Sequence, residues 1–133
     1  MSRVPSTQVG GLFSPYRADT PEKLEAHITY ARHLFELMTR AGFRVRAPHL
    51  LYTQVLVEEN PRDRELGINM GLEDIPGCHV AIVGDKLGYI SSGMEREIAV
   101  AKACGVPLVF HSEVSGMDAY QLAMHLRIVA RPL

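Results

Sequence analysis

The chain has 133 residues, enough for one domain with its own core and too few for two. Hydrophobic residues make up 47% and charged residues 22%, an ordinary globular balance that excludes an intrinsically disordered chain. The formal net charge of −1 leaves no broad cationic surface for the backbone of long DNA or RNA, although one phosphate group needs only a local site.

Cys78 and Cys104 form neither a CxxC pair nor a Cys/His cluster, so two reduced thiols in an apolar core are expected, with no metal. No window of about 18 apolar residues offers a membrane span. The polar start of the chain lacks the apolar stretch of a signal peptide, which makes the cytoplasm the expected location. Residues 1–8 read as a flexible terminus and residues 9–133 as one domain.

In chain order, Val9 to Ser14 is a short apolar run closed by Pro15 and reads as the first strand. Asp19-Thr20-Pro21-Glu22 supplies a cap candidate, a first-turn proline and an early acid, the signals of a helix start. Leu24, Ile28, Ala31, Phe35 and Met38 follow at helical spacing as the expected buried stripe, and Gly42 ends the helix. Phe43 to Ala47 is a second strand, stopped by Pro48. The segment 49–59 is either an irregular loop or a short helix. Asn60-Pro61 opens another helix, expected to turn Leu66, Met70 and Ile75 inward. Cys78 to Val83 is the clearest buried strand.

A glycine-bearing loop, residues 84–92, leads to a helix from Gly93 to Cys104 with Met94, Ile98 and Ala101 on one face and Gly105 as its stop. Val106 to Phe110 is the fourth strand, and Ser115 caps a last helix carrying Ala119, Leu122, Ala123, Leu126 and Val129. Strands alternating with helices imply an α/β fold with a Rossmann-like, doubly wound parallel sheet of four to five strands, because only crossovers fit between them. The expected strand order is 2-1-3-4. Ligands in such sheets bind beyond the carboxyl ends of the strands, at the switch in order, which brings together the loops 14–19, 48–53 and 84–92.

Within those loops, Ser91, Ser92 and Gly93 precede free helix amides that suit an anion. A serine there also commonly caps its helix, and the two roles coexist. Glu97 lies in the opening turns of that helix on the side of Gly93. Either it is an ordinary first-turn acid, or a carboxylate kept ionised by the helix dipole and able to attack an anomeric carbon. Arg17 is placed to grip a phosphate or carboxylate, and Tyr16 to stack on a base or sugar; a surface arginine and a packed tyrosine are the plain alternatives. His49 occupies the equivalent position on the neighbouring loop. His27, His33, His111 and His125 show no metal-ligand spacing and carry no assignment.

Ser14-Pro15-Tyr16-Arg17, Ala47-Pro48-His49-Leu50-Leu51-Tyr52, Gly84-Asp85 and Ser91-Ser92-Gly93-Met94-Glu95-Arg96-Glu97, in that order, resemble the nucleoside 2-deoxyribosyltransferase-like family. The likeness runs from about Val9 to His111 and is nearest to the 2′-deoxynucleoside 5′-phosphate N-hydrolases and an uncharacterised phage and actinobacterial branch. It implies that Glu97 is the nucleophile at C1′, forming a glycosyl-enzyme that water or a second base resolves. It further implies that Ser91, with Arg17 opposite, meets a 5′-phosphate and that His49 lies near the ligand; Ser92 is a further expected phosphate contact, Tyr16, His49 and Asp85 expected sugar or base contacts, and Gly93 and Met94 expected substrate contacts. The family's aspartate near the start of the third strand is here His79, a second expected ligand contact, and Asp85 a few residues on is expected to substitute for it in catalysis.

Two functions follow. The first is an N-glycosidase cleaving the base–sugar bond of a (deoxy)nucleoside 5′-monophosphate, with base transfer as a variant. The alternative is a non-catalytic nucleotide-binding module, favoured by His79 in the aspartate's place. Neither requires a cofactor. The expected partners are a small nucleotide or nucleoside and, by resemblance, further copies of the chain in a homodimer or larger homo-oligomer, with no long nucleic acid and no membrane.

Overall fold

The computed structural model describes residues 7–133, so most of the segment 1–8 expected to be flexible lies outside the described residues. The elements run β1 (Val9–Phe13), α1 (Pro21–Arg40), β2 (Arg44–Arg46), α2 (Pro48–Leu51), α3 (Pro61–Asp74), β3 (Val80–Val83), α4 (Ser92–Cys104), β4 (Leu108–Phe110), α5 (His111–Val114) and α6 (Ala119–Val129). Single 3-10 turns at Tyr52–Gln54 and Ile75–Gly77 extend α2 and α3. The ambiguous segment after the second strand is thus a short helix that tightens and then unwinds.

The four strands pair in parallel in the order β2-β1-β3-β4, as expected. Side chains alternate across β1 and β3. Leu12, Val80 and Ile82 face Leu34 and Met38 of α1 and Leu122 and Leu126 of α6. Phe13, Ala81 and Val83 face Ile75 and the Met94 and Ala101 side of α4. Burial on both faces explains why β3 reads as an unbroken apolar run rather than as an alternation.

Local signals set the helix ends. Thr20 accepts from the amide of Lys23, Asn60 from those of Arg62 and Asp63, and Gly105 closes α4 at φ 74°. Three expectations are corrected. Phe35 is 38% exposed, and His27, Ala31, Leu34 and Met38 form the buried face of α1, one step round from the expected stripe. Leu66 and Met70 are exposed because α3 packs through glycines: a Cβ on Gly71 would sit 2.7 Å from Pro48 Cγ, and one on Gly67 would sit 3.3 Å from Leu56 Cδ1. Close approach therefore selects the Gly67–Gly71 side, about a hundred degrees from Leu66 and Met70, while Ile75 is buried as expected. Finally, α5 and a turn precede the last helix, whose cap is Asp118 in a reciprocal capping box with Gln121, not Ser115. Among the described residues no helix is long and apolar enough to cross a membrane, and both cysteines are free thiols.

Candidate functional site

A cavity of about 610 Å³ opens beyond the carboxyl ends of the strands, the volume of a small-molecule site. The loop after β1 brings Ser14, Tyr16 and Arg17 to it; α2 and the turn after it bring His49, Tyr52 and Thr53. The first turns of α4 complete it with Ser91, Ser92, Gly93, Met94 and Glu97. Residues far apart in sequence meet because β1 and β3 are neighbours at the switch in strand order.

Ser91 is the N-cap of α4, its hydroxyl accepting from the Met94 amide at 3.2 Å. The amides of Ser92 and Gly93 donate to no protein acceptor among the described residues and remain available at the positive end of a 13-residue helix. A Cβ on Gly93 would meet nothing nearer than Ser91 Oγ at 4.0 Å, so the glycine leaves open volume beside Glu97. Met94 is buried and closes the cavity against the core.

Glu97 departs from expectation. Burial pushes its carboxyl up to about 8, and no hydrogen bond or ion pair reaches it among the described residues. Desolvation outweighs the helix dipole here: Glu97 sits past the first turn, where the dipole has faded. At neutral pH the group is mostly protonated rather than held ionised. His49 is the mirror case. Burial lowers its imidazole to about 4, so the ring is neutral, with Nε2 2.7 Å from Ser14 Oγ.

His79 and Asp85 lie outside the cavity. His79 precedes β3 at the opposite edge of the sheet, where its Nδ1 accepts from the Val9 amide at 2.9 Å. Its own amide donates to the Val9 carbonyl, and its carbonyl accepts from the Arg131 amide. A residue before a parallel strand is a full strand length from the ligand edge. Asp85 follows β3 at the correct edge but turns away. Its two oxygens accept from the amide and hydroxyl of Ser112, at 2.8 and 2.7 Å, which ties the loop to α5.

The sequence reading missed the far wall. Asp63, Arg64 and Gly67 of α3 line the cavity, and Arg64 pairs with Glu58 at 3.4 Å. Asp63 is engaged with the Val57 amide at 2.9 Å. The Gly67–Gly71 spacing was the available signal, since two glycines one turn apart mark a helix face approached closely. Ser14 was placed in the ligand-edge loop 14–19 but given no role of its own. Among the described residues no group of three His, Cys, Asp or Glu side chains could hold a metal ion.

A model of the family described as a domain of unknown function, DUF7768, matches residues 11–111. The chain belongs to this family. No curated protein matches the chain. Among solved structures it is similar to a 2-deoxyribosyltransferase from the psychrotolerant bacterium Bacillus psychrosaccharolyticus, with a TM-score of 0.64 and 13% identity, covering 93% of this chain and 98% of that one. At that identity the likeness is one of fold, and it agrees with the four-stranded parallel sheet flanked by helices.

Proposed function

We propose that the domain, residues 9–133, binds a (deoxy)nucleoside 5′-monophosphate in this cavity and cleaves its base–sugar bond through Glu97. The observation that carries the reading is the meeting, in one cavity, of a carboxyl and of amides at the start of α4 that have no partner among the described residues, and of Arg17. The amides of Ser92 and Gly93 with Arg17 suit a phosphate dianion. Tyr16 offers an aromatic face to base or sugar, and the uncharged His49–Ser14 pair offers hydrogen bonds without competing for the phosphate. The fold shared with a 2-deoxyribosyltransferase adds support for a nucleoside ligand.

In this mechanism Glu97 first loses its proton. A carboxylate oxygen then bonds to C1′ as the C1′–N bond breaks, and the electron pair leaves on the base nitrogen, which takes up a proton. Water attacks the glycosyl ester, releasing sugar phosphate and restoring the carboxylate; a second base in place of water gives transfer. The assembly of copies implied by the resemblance belongs to the same reading, and sedimentation as a clean monomer would remove it.

The second reading, a nucleotide-binding module without turnover, is favoured by the protonated state of Glu97 at neutral pH, which makes it a hydrogen-bond donor to a bound group. Incubation with the common ribo- and deoxyribonucleoside 5′-monophosphates, followed by chromatography, separates the two. Release of free base that disappears in Glu97→Ala supports the glycosidase. Tight binding of one nucleotide recovered unchanged supports the module, and neither result would discard both.

A further inference from the structure

His27 lies on the second turn of α1, outside the cavity, and is one of the few buried polar residues, 5% exposed. Both ring nitrogens are engaged. Nδ1 is 3.0 Å from the carbonyl oxygen of Tyr16, and Nε2 is 2.6 Å from the hydroxyl of Tyr89. A carbonyl only accepts, so Nδ1 carries the proton; in the neutral ring Nε2 then accepts from the Tyr89 O–H. One imidazole therefore bridges two loops. The first carries Arg17, next to Tyr16. The second runs into Ser91, two residues after Tyr89. These are the two loops that would grip a phosphate from opposite sides.

A second rung lies one turn further along the same helix. The Lys86 amide donates to Tyr30 Oη at 3.1 Å, and the Tyr30 hydroxyl in turn faces His111 Nδ1 at 2.6 Å. Tyr30 and His27 are three residues apart, so both project from one side of α1 toward residues 85–90. That loop carries Gly88 at φ 99° and five residues in succession, 86–90, that are exposed; at its start Asp85 is held by Ser112.

We propose that His27 and Tyr89 form a latch, acting as positioning residues that hold the Tyr16–Arg17 loop and the start of α4 at the separation a 5′-phosphate requires. The latch rests on the nucleotide reading of the cavity, and it extends that reading by predicting discrimination: the phosphate, not the base, senses its loss. Neither residue lines the cavity.

The test uses the intact protein with Tyr89→Phe, which removes one hydroxyl, and His27→Asn, whose amide nitrogen keeps the Tyr16 contact while losing Tyr89. Hydrogen exchange of the free protein should show residues 85–92 exchanging at least fivefold faster in both variants, with the melting midpoint nearly unchanged. Calorimetric titration with the four common deoxynucleoside 5′-monophosphates and the matching nucleosides should show about tenfold weaker monophosphate binding, with nucleoside binding altered less than twofold. His27→Asn and Tyr89→Phe combined should be no worse than either alone. Unchanged exchange in residues 85–92 would overturn the latch, as would equal weakening of nucleotide and nucleoside, which marks a general structural role. If the wild-type protein binds none of these ligands, the nucleotide reading fails, and with it the phosphate-gripping role; the exchange result then decides separately whether the two loops are tied through His27.

Discussion

At the amino-terminal edge of the sheet Arg131 and His79 are tied into the protein by hydrogen bonds. Arg131 donates to the carbonyls of Cys104, Pro76 and Cys78, and His79 is bonded through its ring, amide and carbonyl. At the carboxyl-terminal edge, among the described residues, Glu97 has no partner, the first amides of α4 are open, and His49 is kept neutral beside Ser14. Both edges hold a histidine and a loop rich in polar groups, so residue type does not distinguish them. Satisfaction does. Polar groups that the fold itself leaves open, here the first amides of α4 and the partly buried Glu97 carboxyl, mark the place where a ligand is expected to supply the missing partner.

The comparison is broken most directly at Glu97. Glu97→Gln should lower base release at least about a thousandfold, the scale of losing a nucleophile, while His79→Gln at the other edge should change turnover less than about threefold. Product chromatography on purified variants measures both. Equal loss at the two positions would dissolve the distinction between the edges.

Stability should show the same contrast through pH. The Glu97 carboxyl rises from 4.5 to about 8 on folding, so the folded state holds a proton that the unfolded state has lost. Its contribution is intact below about 4.5 and is lost as pH climbs to 8, with an upper bound of about 5 kcal/mol. His49 falls from 6.5 to about 4, so it contributes fully above 6.5 and loses that contribution as pH drops to 4. The two slopes oppose between 4.5 and 6.5, and Glu97 alone acts from 6.5 to 8. Chemical denaturation should therefore find Glu97→Gln gaining stability over wild type as pH rises from 6.5 to 8. Activity should rise through pH 8 if Glu97 attacks as the anion and fall if it acts as an acid.

Arg17→Ala sharpens the picture at smaller scale. Losing one charge-assisted contact should weaken monophosphate binding by about 1.5–3 kcal/mol, roughly ten- to a hundredfold, and leave the melting midpoint in place because Arg17 is exposed. Calorimetry against nucleoside and nucleotide reads the difference. The smallest effect is expected at Asp85→Asn, which weakens the link to Ser112 by about 1 kcal/mol and should leave turnover within twofold. A large activity loss there would return Asp85 to the site.

Much of this protein was legible before folding was considered. The chain's apolar runs, helix caps and glycine stops set four strands and their crossovers, and Thr20, Asn60, Ser91 and Gly105 act where local chemistry says they should. The cavity's near wall, Tyr16, Arg17, His49, Ser91 to Met94 and Glu97, followed from the rule that ligands sit at strand carboxyl ends. The rest depended on distances along the third dimension. Which face of α3 is buried was decided by the approach of Pro48 to Gly71, a contact between segments that periodicity treats separately. Whether Asp85 faces the cavity or Ser112, and whether His27 is idle or bridges two loops, depended on neighbours 27 and 62 residues away. The protonation of Glu97 depended on burial, which outweighed the helix dipole that its sequence position made visible. Local sequence carries capping and periodicity because both act within a turn or two of chain. Desolvation and long-range pairing are properties of the space a residue occupies, and only the assembled fold defines that space.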